Sequence, residues 1–144
     1  ALCRAALALD QHQLGAWSLL ARIALDDHQL ERALGYYAAI LATAPDDADY
    51  LVDAAEVNRR CGHLSRAVEL SARALTQRPQ DGRAWRVRRS ALEELDRRLE
   101  RVAANSKNSM IVIKCTGDST QAGLVSVLDL CAKNDLKKIS IFSL

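Results

Sequence analysis

Cysteine and histidine are the residue types in this chain best suited to bind a metal ion or to act as a nucleophile. The four cysteines stand at positions 3, 61, 115 and 131, without a CxxC pair, and the three histidines stand at 12, 28 and 63. Structural zinc usually takes four ligands. Cys61 and His63 offer two, and Cys3 and His28 are the remaining candidates in the same region. We therefore predict no metal site, and either a reduced compartment or cysteines buried singly as small apolar residues.

The segment that begins at Cys115 offers two further kinds of chemistry, nucleophilic catalysis and phosphate binding. Cys115 would end a strand, as some nucleophiles do, but no histidine is expected near it to activate the thiol. Residues 116–120 would form a turn before a helix, where backbone N–H groups can hold a phosphate. They match neither the dinucleotide fingerprint nor the P-loop, and helix capping by Asp118 or Ser119 explains them. The histidines fall at predicted turns without a suitably spaced acid. We predict no catalytic residue, no cofactor and no enzymatic activity.

A 34-residue period organises the first two-thirds of the chain and would position any binding surface there. The residues that repeat at this spacing are Leu30 and Leu64, Ala33 and Ala67, Leu41 and Leu75, and Pro45 and Pro79, with Trp17, Leu51 and Trp85 in a further register. A period of this length is typical of stacked helical hairpins, which mostly bind other proteins.

Each repeat predicts two helices joined by a short turn. Residues 16–21 open the first helix, and residues 28–33 cross the turn and start the second, which ends before Pro45. The next repeat turns at 61–64 and ends before Pro79, because proline stops a helix. Small side chains would let the helices approach closely and large ones would fill the space between them. The small residues are Ala21, Ala33, Ala55 and Ala67, and the large ones are Trp17, Leu20, Tyr37 and Leu51.

The order of a large apolar residue, Leu-Ala, a glycine turn, alanine, a large residue and a terminal proline resembles the tetratricopeptide repeat (TPR). The resemblance covers residues 1 to about 90; the second turn has the expected Gly62, whereas the first has His28 in its place. It implies a mainly α fold, a solenoid of helical hairpins. Because Ala1 aligns with the second helix of a repeat, we expect the chain to be a fragment of a longer array.

The resemblance also implies a binding groove, because the first helix of each TPR hairpin lines the concave face. The corresponding residues are Ser18, Arg22, Leu25, Val52, Glu56, Arg59, Arg83 and Arg86. We predict a mixed, slightly basic groove for an extended peptide or a helix. A clamp for a C-terminal carboxylate is not expected, because Asp53 would repel a carboxylate while Ser18 and Val87 carry no charge.

The third repeat departs from the pattern after Trp85. Arg88 and Arg89 replace the Leu-Ala pair, and a regular hairpin would bury two unpaired cations there. Ser90 and Glu93 form a capping-box pattern, which predicts a new amphipathic helix at 90–104. This helix would either cap the repeats or complete the next unit. We place the domain boundary between 1–104 and 105–144.

The composition changes at the same place. All fifteen arginines lie at or before Arg101, and all five lysines lie at or after Lys107, which suggests two segments of different origin, as a natural fusion or a composite. The tail predicts a strand at 110–115, a helix at 122–134 and a strand at 139–144. This βαβ unit would pair its strands in parallel, and it is too small to be stable alone.

The tail pattern Ile-Val-Ile-Lys, Gly-Asp, Leu-Val-Ser-Val-Leu-Asp-Leu-Cys and Lys-Lys-Ile-Ser-Ile resembles the C-terminal part of the ExbD/TolR family of bacterial biopolymer transport proteins. The resemblance implies a periplasmic domain that associates with partner proteins, with a hairpin turn at 81–83 and the helix at 90–104. The chain lacks the family's membrane helix and proton-handling carboxylate, so it would not couple a proton gradient itself. A homodimer through this unit is possible.

Charge and hydropathy exclude several kinds of partner. The net charge of +2 is too small to indicate nucleic acid or an anionic membrane surface, and no apolar run approaches a membrane span or a secretion signal. We predict a non-catalytic protein-binding scaffold in the bacterial cytoplasm or periplasm. The alternatives are a component of an ExbD/TolR-like envelope transport complex and the TPR arm of a larger enzyme.

Overall fold

The computed structural model describes residues 11–105, 110–115 and 121–143. Their elements in chain order are α1 (Gln11–Asp26), α2 (Leu30–Thr43), α3 (Ala48–Arg60), α4 (Leu64–Gln77), α5 (Gly82–Asn105), β1 (Ile111–Cys115), α6 (Gln121–Lys133) and β2 (Ile139–Ser143). The mainly α fold with a small α/β unit is therefore confirmed. The predictions for Ala1, Cys3 and residues 116–120 lie outside the described residues, and His12 lies within α1 rather than at a turn.

The four predicted small residues lie where helices pack most closely. Ala21, Ala33, Ala55 and Ala67 are fully buried, as are the larger Tyr37 and Leu51 beside them. Trp17 packs on the same core and meets Tyr36 edge-on, with 5.3 Å between ring centroids. The prediction for Leu20 was wrong, because this side chain is 45% exposed. Ala54, the residue one period later, is 1% exposed and belongs to the core that α2 and α3 share.

The two repeat turns share one backbone conformation, although one contains glycine and the other histidine. His28 has φ +58° and Gly62 has φ +80°, both in the left-handed region. In each turn the next residue donates its N–H to a carbonyl five residues back: Gln29 to Ala24 at 2.7 Å, and His63 to Asn58 at 2.8 Å. This is the Schellman ending of a helix, for which glycine is the usual residue.

An aspartate after each proline starts the next helix. The Asp47 carboxylate accepts hydrogen bonds from the N–H groups of Asp49 and Tyr50, at 3.0 and 3.2 Å. Asp81 does the same for Arg83 and Ala84, at 2.8 and 3.1 Å. These bonds satisfy N–H groups that a helix start leaves without a partner. Residues 81–83 are therefore a helix start, and the predicted hairpin turn at this place was wrong.

Helix α5 is continuous from Gly82 to Asn105, so the predicted break and new helix start at Ser90 were also wrong. The reason is that the two arginines do not become unpaired buried cations. The Arg89 side chain is exposed. The half-buried Arg88 lies against α4 and α6, where its Nη2 donates to Ser126 Oγ at 2.8 Å and its Nη1 to the Val68 carbonyl at 3.5 Å.

The C-terminal unit, defined here as β1, α6 and β2, has the predicted βαβ order. The strands are parallel, with Ile111 opposite Ile139 and Ile113 opposite Ile141. Its core is completed by α5, because Leu99 packs with Val127, Cys131 and Leu136. The same helix packs on α4 through Ala91 and Leu92. Helix α5 therefore contacts both the repeats and the C-terminal unit.

Candidate binding cleft

The first helices of three successive hairpins, α1, α3 and α5, line one cleft of about 330 Å³. Its lining residues are Arg22, Leu25, Tyr37, Val52, Asp53, Glu56, Arg59, Arg83, Arg86, Val87 and Ser90. Every predicted groove residue except Ser18 is among them, and Ser18 lies close enough to the lining residue Tyr37 to lower the pKa of its hydroxyl. The structure thus brings the predicted residues together in space.

The repeat register explains why these side chains converge. Ser18, Val52 and Arg86 stand 34 residues apart, and so do Arg22, Glu56 and Ser90. The two sets are four residues apart, which places them one turn apart on the same helical face. The sequence prediction omitted Ser90, although its spacing from Arg22 and Glu56 could have identified it.

Two arginines of the cleft are neutralised inside it. Arg59 forms a two-pronged pair with Glu56, with Nε to Oε2 and Nη2 to Oε1 distances of 2.9 Å, and it approaches Glu94 at 3.7 Å. The hydrogen bonds that Arg59 donates to the Glu56 carboxylate raise the pKa of the Arg59 guanidinium. Arg83 pairs with Asp53. Because these charges satisfy one another, the middle of the cleft is close to neutral.

Asp53, the ion-pair partner of Arg83, and Tyr37 are polar residues that line the cleft close to each other. Burial raises the pKa of the Asp53 carboxyl, and the nearby Arg83 only partly opposes it. The pKa of Tyr37 is raised to about 12, first by burial and then by the Asp53 charge. The Asp53 and Ser18 side chains both lie close to the Tyr37 hydroxyl, where Asp53 raises its pKa and Ser18 lowers it. Tyr37 was predicted only as a core residue, so its place in the cleft adds to that prediction.

The other two arginines differ from this pair. Arg22 on α1 and Arg86 on α5 are exposed, and neither forms an ion pair or hydrogen bond within the part of the chain that the structure describes. The lining as a whole contains four arginines and two carboxylates, a formal excess of two positive charges. The cleft therefore has paired charges at its centre and, on each of its two outer helices, a guanidinium that forms no ion pair among the described residues; of these two, Arg22 is close enough to Asp53 to lower the pKa of that carboxyl.

A second cavity, of about 380 Å³, lies between the start of α4 and the C-terminal unit. His63 and Cys115 both line it, so a histidine and the Cys115 thiol share one cavity. No hydrogen bond joins the two side chains among the described residues. In the described ranges, no three side chains of His, Cys, Asp or Glu come together as metal ligands. The Cys61 thiol has its pKa raised by burial, which disfavours the reactive thiolate.

Comparison with known proteins adds one match. Residues 24–91 match the family model described as Tetratricopeptide repeat, from the end of α1 into α5, which is 68 of the 144 residues. No curated protein and no solved structure matches the chain. This match supports a TPR segment, a type of module that generally mediates protein–protein interaction.

The tetratricopeptide match ends before β1, so the resemblance of the tail to the ExbD/TolR family stays a prediction, as does the TPR arm of a larger enzyme. Among the described residues, no helix combines the length and apolar character that crossing a membrane requires.

Proposed function

We propose that this chain is a non-catalytic scaffold that binds a segment of a partner protein in the cleft between α1, α3 and α5. The observation that carries the proposal is the convergence of side chains from three first helices on one cleft. The match of residues 24–91 to a protein-interaction family supports the same function.

The geometry of the cleft suits recognition of an extended segment or a helix. The half-buried Leu25 and Val87 give its lining apolar area, whereas Val52 is 1% exposed and belongs to the core. The paired charges of Asp53 and Glu56 lie on α3, between α1 and α5. Peptide-binding grooves combine apolar pockets with a few fixed polar groups in this way. The helices beneath are anchored by fully buried residues such as Tyr37 and Leu51, so the cleft is held in shape before a partner arrives.

The proposal is tested by selecting ligands from a random dodecapeptide library on the immobilised chain. The selected peptides are then synthesised and their affinity is measured by calorimetry. The Arg22→Glu, Arg86→Glu double variant should bind them at least about tenfold more weakly. It removes two exposed hydrogen-bond donors and puts two negative charges in the cleft in their place.

A matched control is the Arg32→Glu, Arg101→Glu double variant, which makes the same charge change at exposed sites outside the cleft. It should keep the affinity of the original chain. Both double variants should retain the free energy of unfolding within about 1 kcal/mol, because surface substitutions usually cost little. Failure to select any peptide, or equal affinity for the cleft variant, would overturn the proposal.

A further inference from the structure

The distribution of charge within the cleft narrows the kind of segment that it accepts. Of its four arginines, Arg59 and Arg83 already face a carboxylate of the chain itself. Arg22 and Arg86 form no ion pair among the described residues, although Arg22 is close enough to Asp53 to lower the pKa of that carboxyl, and they lie on the outer two of the three lining helices. A bound segment therefore meets a free guanidinium on each side and an occupied pair in the middle.

We propose that the partner segment is acidic at two positions and apolar between them, with one carboxylate at Arg22 and the other at Arg86; this rests on the function proposed above. Guanidinium groups bind carboxylates through two parallel hydrogen bonds, which gives both attraction and orientation. The apolar middle of the segment would contact the half-buried Leu25 and Val87.

Asp53 explains why the acidic residues belong at the flanks and not in the middle. Its carboxylate lines the centre of the cleft and is occupied by Arg83. A partner carboxylate placed there would be repelled by Asp53, whereas an uncharged apolar residue would not. A basic segment meets the opposite difficulty, because it would be repelled by Arg22 and Arg86. The cleft therefore selects by repulsion as well as by attraction.

The experiment uses three capped dodecapeptides that differ only at two positions flanking three leucines. The two positions are both Glu, both Gln or both Lys, and the acetylated and amidated ends remove terminal charges. Fluorescence anisotropy with the full chain should give at least about tenfold tighter binding for the Glu peptide than for the Gln peptide, since a charge-assisted hydrogen bond contributes more than a neutral one. Raising the salt from about 0.05 M to about 0.5 M should weaken only the Glu peptide.

Variants of the chain connect this preference to named residues. Arg22→Gln and Arg86→Gln should each weaken the Glu peptide several-fold, and together they should make the Glu and Gln peptides equal. Asp53→Asn should strengthen the Glu peptide, because Arg83 is then no longer neutralised. If these substitutions acted only by disturbing the fold, they would change the affinity for the Glu and Gln peptides by the same factor.

Two results separate this inference from the function on which it rests. If the library selection yields tight ligands without acidic residues, or if the Gln peptide binds as tightly as the Glu peptide, the acidic class is wrong and the cleft function stands. If the selection yields no ligand, both are wrong. Displacement of the Glu peptide by a single-stranded oligonucleotide at equal concentration would also overturn the assignment to an acidic peptide.

Discussion

The repeats and the C-terminal unit bury their apolar side chains in different ways. In the repeats, Tyr37 and Leu51 are fully buried among side chains from neighbouring hairpins, and the core continues from one hairpin to the next. In the C-terminal unit, Val112, Ile141 and Phe142 remain about half exposed, at 47%, 51% and 56%. Two strands and one helix cover too little surface for a closed core. The unit therefore depends on Leu99 of α5, whereas the repeats share one continuous core, although Leu19, Ile23 and Trp85 on the surface of the repeats are also about half exposed.

The largest expected effect comes from removing one leucine from each region. Leu51→Ala and Leu99→Ala should each lower the free energy of unfolding by about 2–5 kcal/mol. Both side chains are buried, so each substitution leaves a cavity in a packed core. Leu51→Ala should lower the stability of all the repeat helices. Leu99→Ala should release mainly β1, α6 and β2. Hydrogen exchange measured by mass spectrometry along the chain distinguishes the two patterns.

Val112→Ala serves as the control, since a half-exposed side chain should change stability by only about 0.5 kcal/mol. If Leu99→Ala increased exchange equally in α1 to α4 and in α6, the two regions would form one cooperative unit, and the contrast between them would not hold.

The next effect concerns Arg88, which joins the two regions. Burial lowers the pKa of this guanidinium, and its hydrogen bonds to Ser126 and to the Val68 carbonyl compensate the cost of burying it. Arg88→Ala should cost about 1–3 kcal/mol, because it removes a charged donor from partly buried acceptors. Urea unfolding followed by circular dichroism measures this cost.

Arg89→Ala is the matched control on the adjacent residue, where the exposed side chain lies 3.9 Å from Glu93. It should change stability by at most about 0.5 kcal/mol. Equal costs for Arg88 and Arg89 would contradict a linking role for Arg88.

The sequence predicted the repeats better than their junction with the tail, for a physical reason. A period of 34 residues fixes which side chains meet, so Ala33 and Ala67 follow from spacing, while the resemblance to the tetratricopeptide repeat indicated most of the cleft residues. The continuity of α5 does not follow from spacing, because an arginine can stay in a helix when another element supplies an acceptor for its hydrogen bonds. That acceptor, Ser126, lies 38 residues later in a segment outside the repeat pattern.

The side-chain pairing within the cleft also lay beyond sequence reasoning. Spacing places Arg22, Arg83 and Arg86 on related faces, but it does not tell which of them meets an acid. Only the structure shows that Asp53 pairs with Arg83 and that Arg22 and Arg86 form no ion pair among the described residues. Leu20 is a related case, since its exposure depends on what lies next to α1 and not on its own register.

A smaller effect compares the two repeat turns. Gly62→Ala should cost about 1–2 kcal/mol, because a side chain at φ +80° is strained. The added Cβ would also lie 3.1 Å from the end of the flexible Arg98 side chain. His28→Gly should instead stabilise by about 0.5–1 kcal/mol by removing the strain at φ +58°. Thermal unfolding of both variants measures the two effects, and a change of the same sign in both would contradict the shared turn geometry.

The smallest expected effect is a pH dependence of opposite sign in the two regions. Burial raises the pKa of Asp53 in the repeats, whereas the hydrogen bond from Lys133 lowers the pKa of Asp96 at the contact between α5 and α6. An aspartate with a raised pKa holds its proton more tightly in the folded chain. Its contribution to stability therefore falls as the pH rises from about 3.9, the ordinary value, towards the raised one. An aspartate with a lowered pKa stabilises the folded chain above about pH 3.9, and this contribution is lost as the pH falls through the lowered value.

Urea unfolding at a series of pH values, for the original chain and for Asp53→Asn and Asp96→Asn, separates the two contributions. The free energy of unfolding of the original chain minus that of Asp53→Asn should fall as the pH rises above the ordinary aspartate pKa. The free energy of unfolding of the original chain minus that of Asp96→Asn should rise with pH in the range below the ordinary aspartate pKa. Slopes of the same sign would mean that one of the two carboxylates does not have the environment described here. Because Asp53 lies in the cleft and Asp96 lies at the junction, the two slopes report separately on the site and on the contact between the repeats and the C-terminal unit.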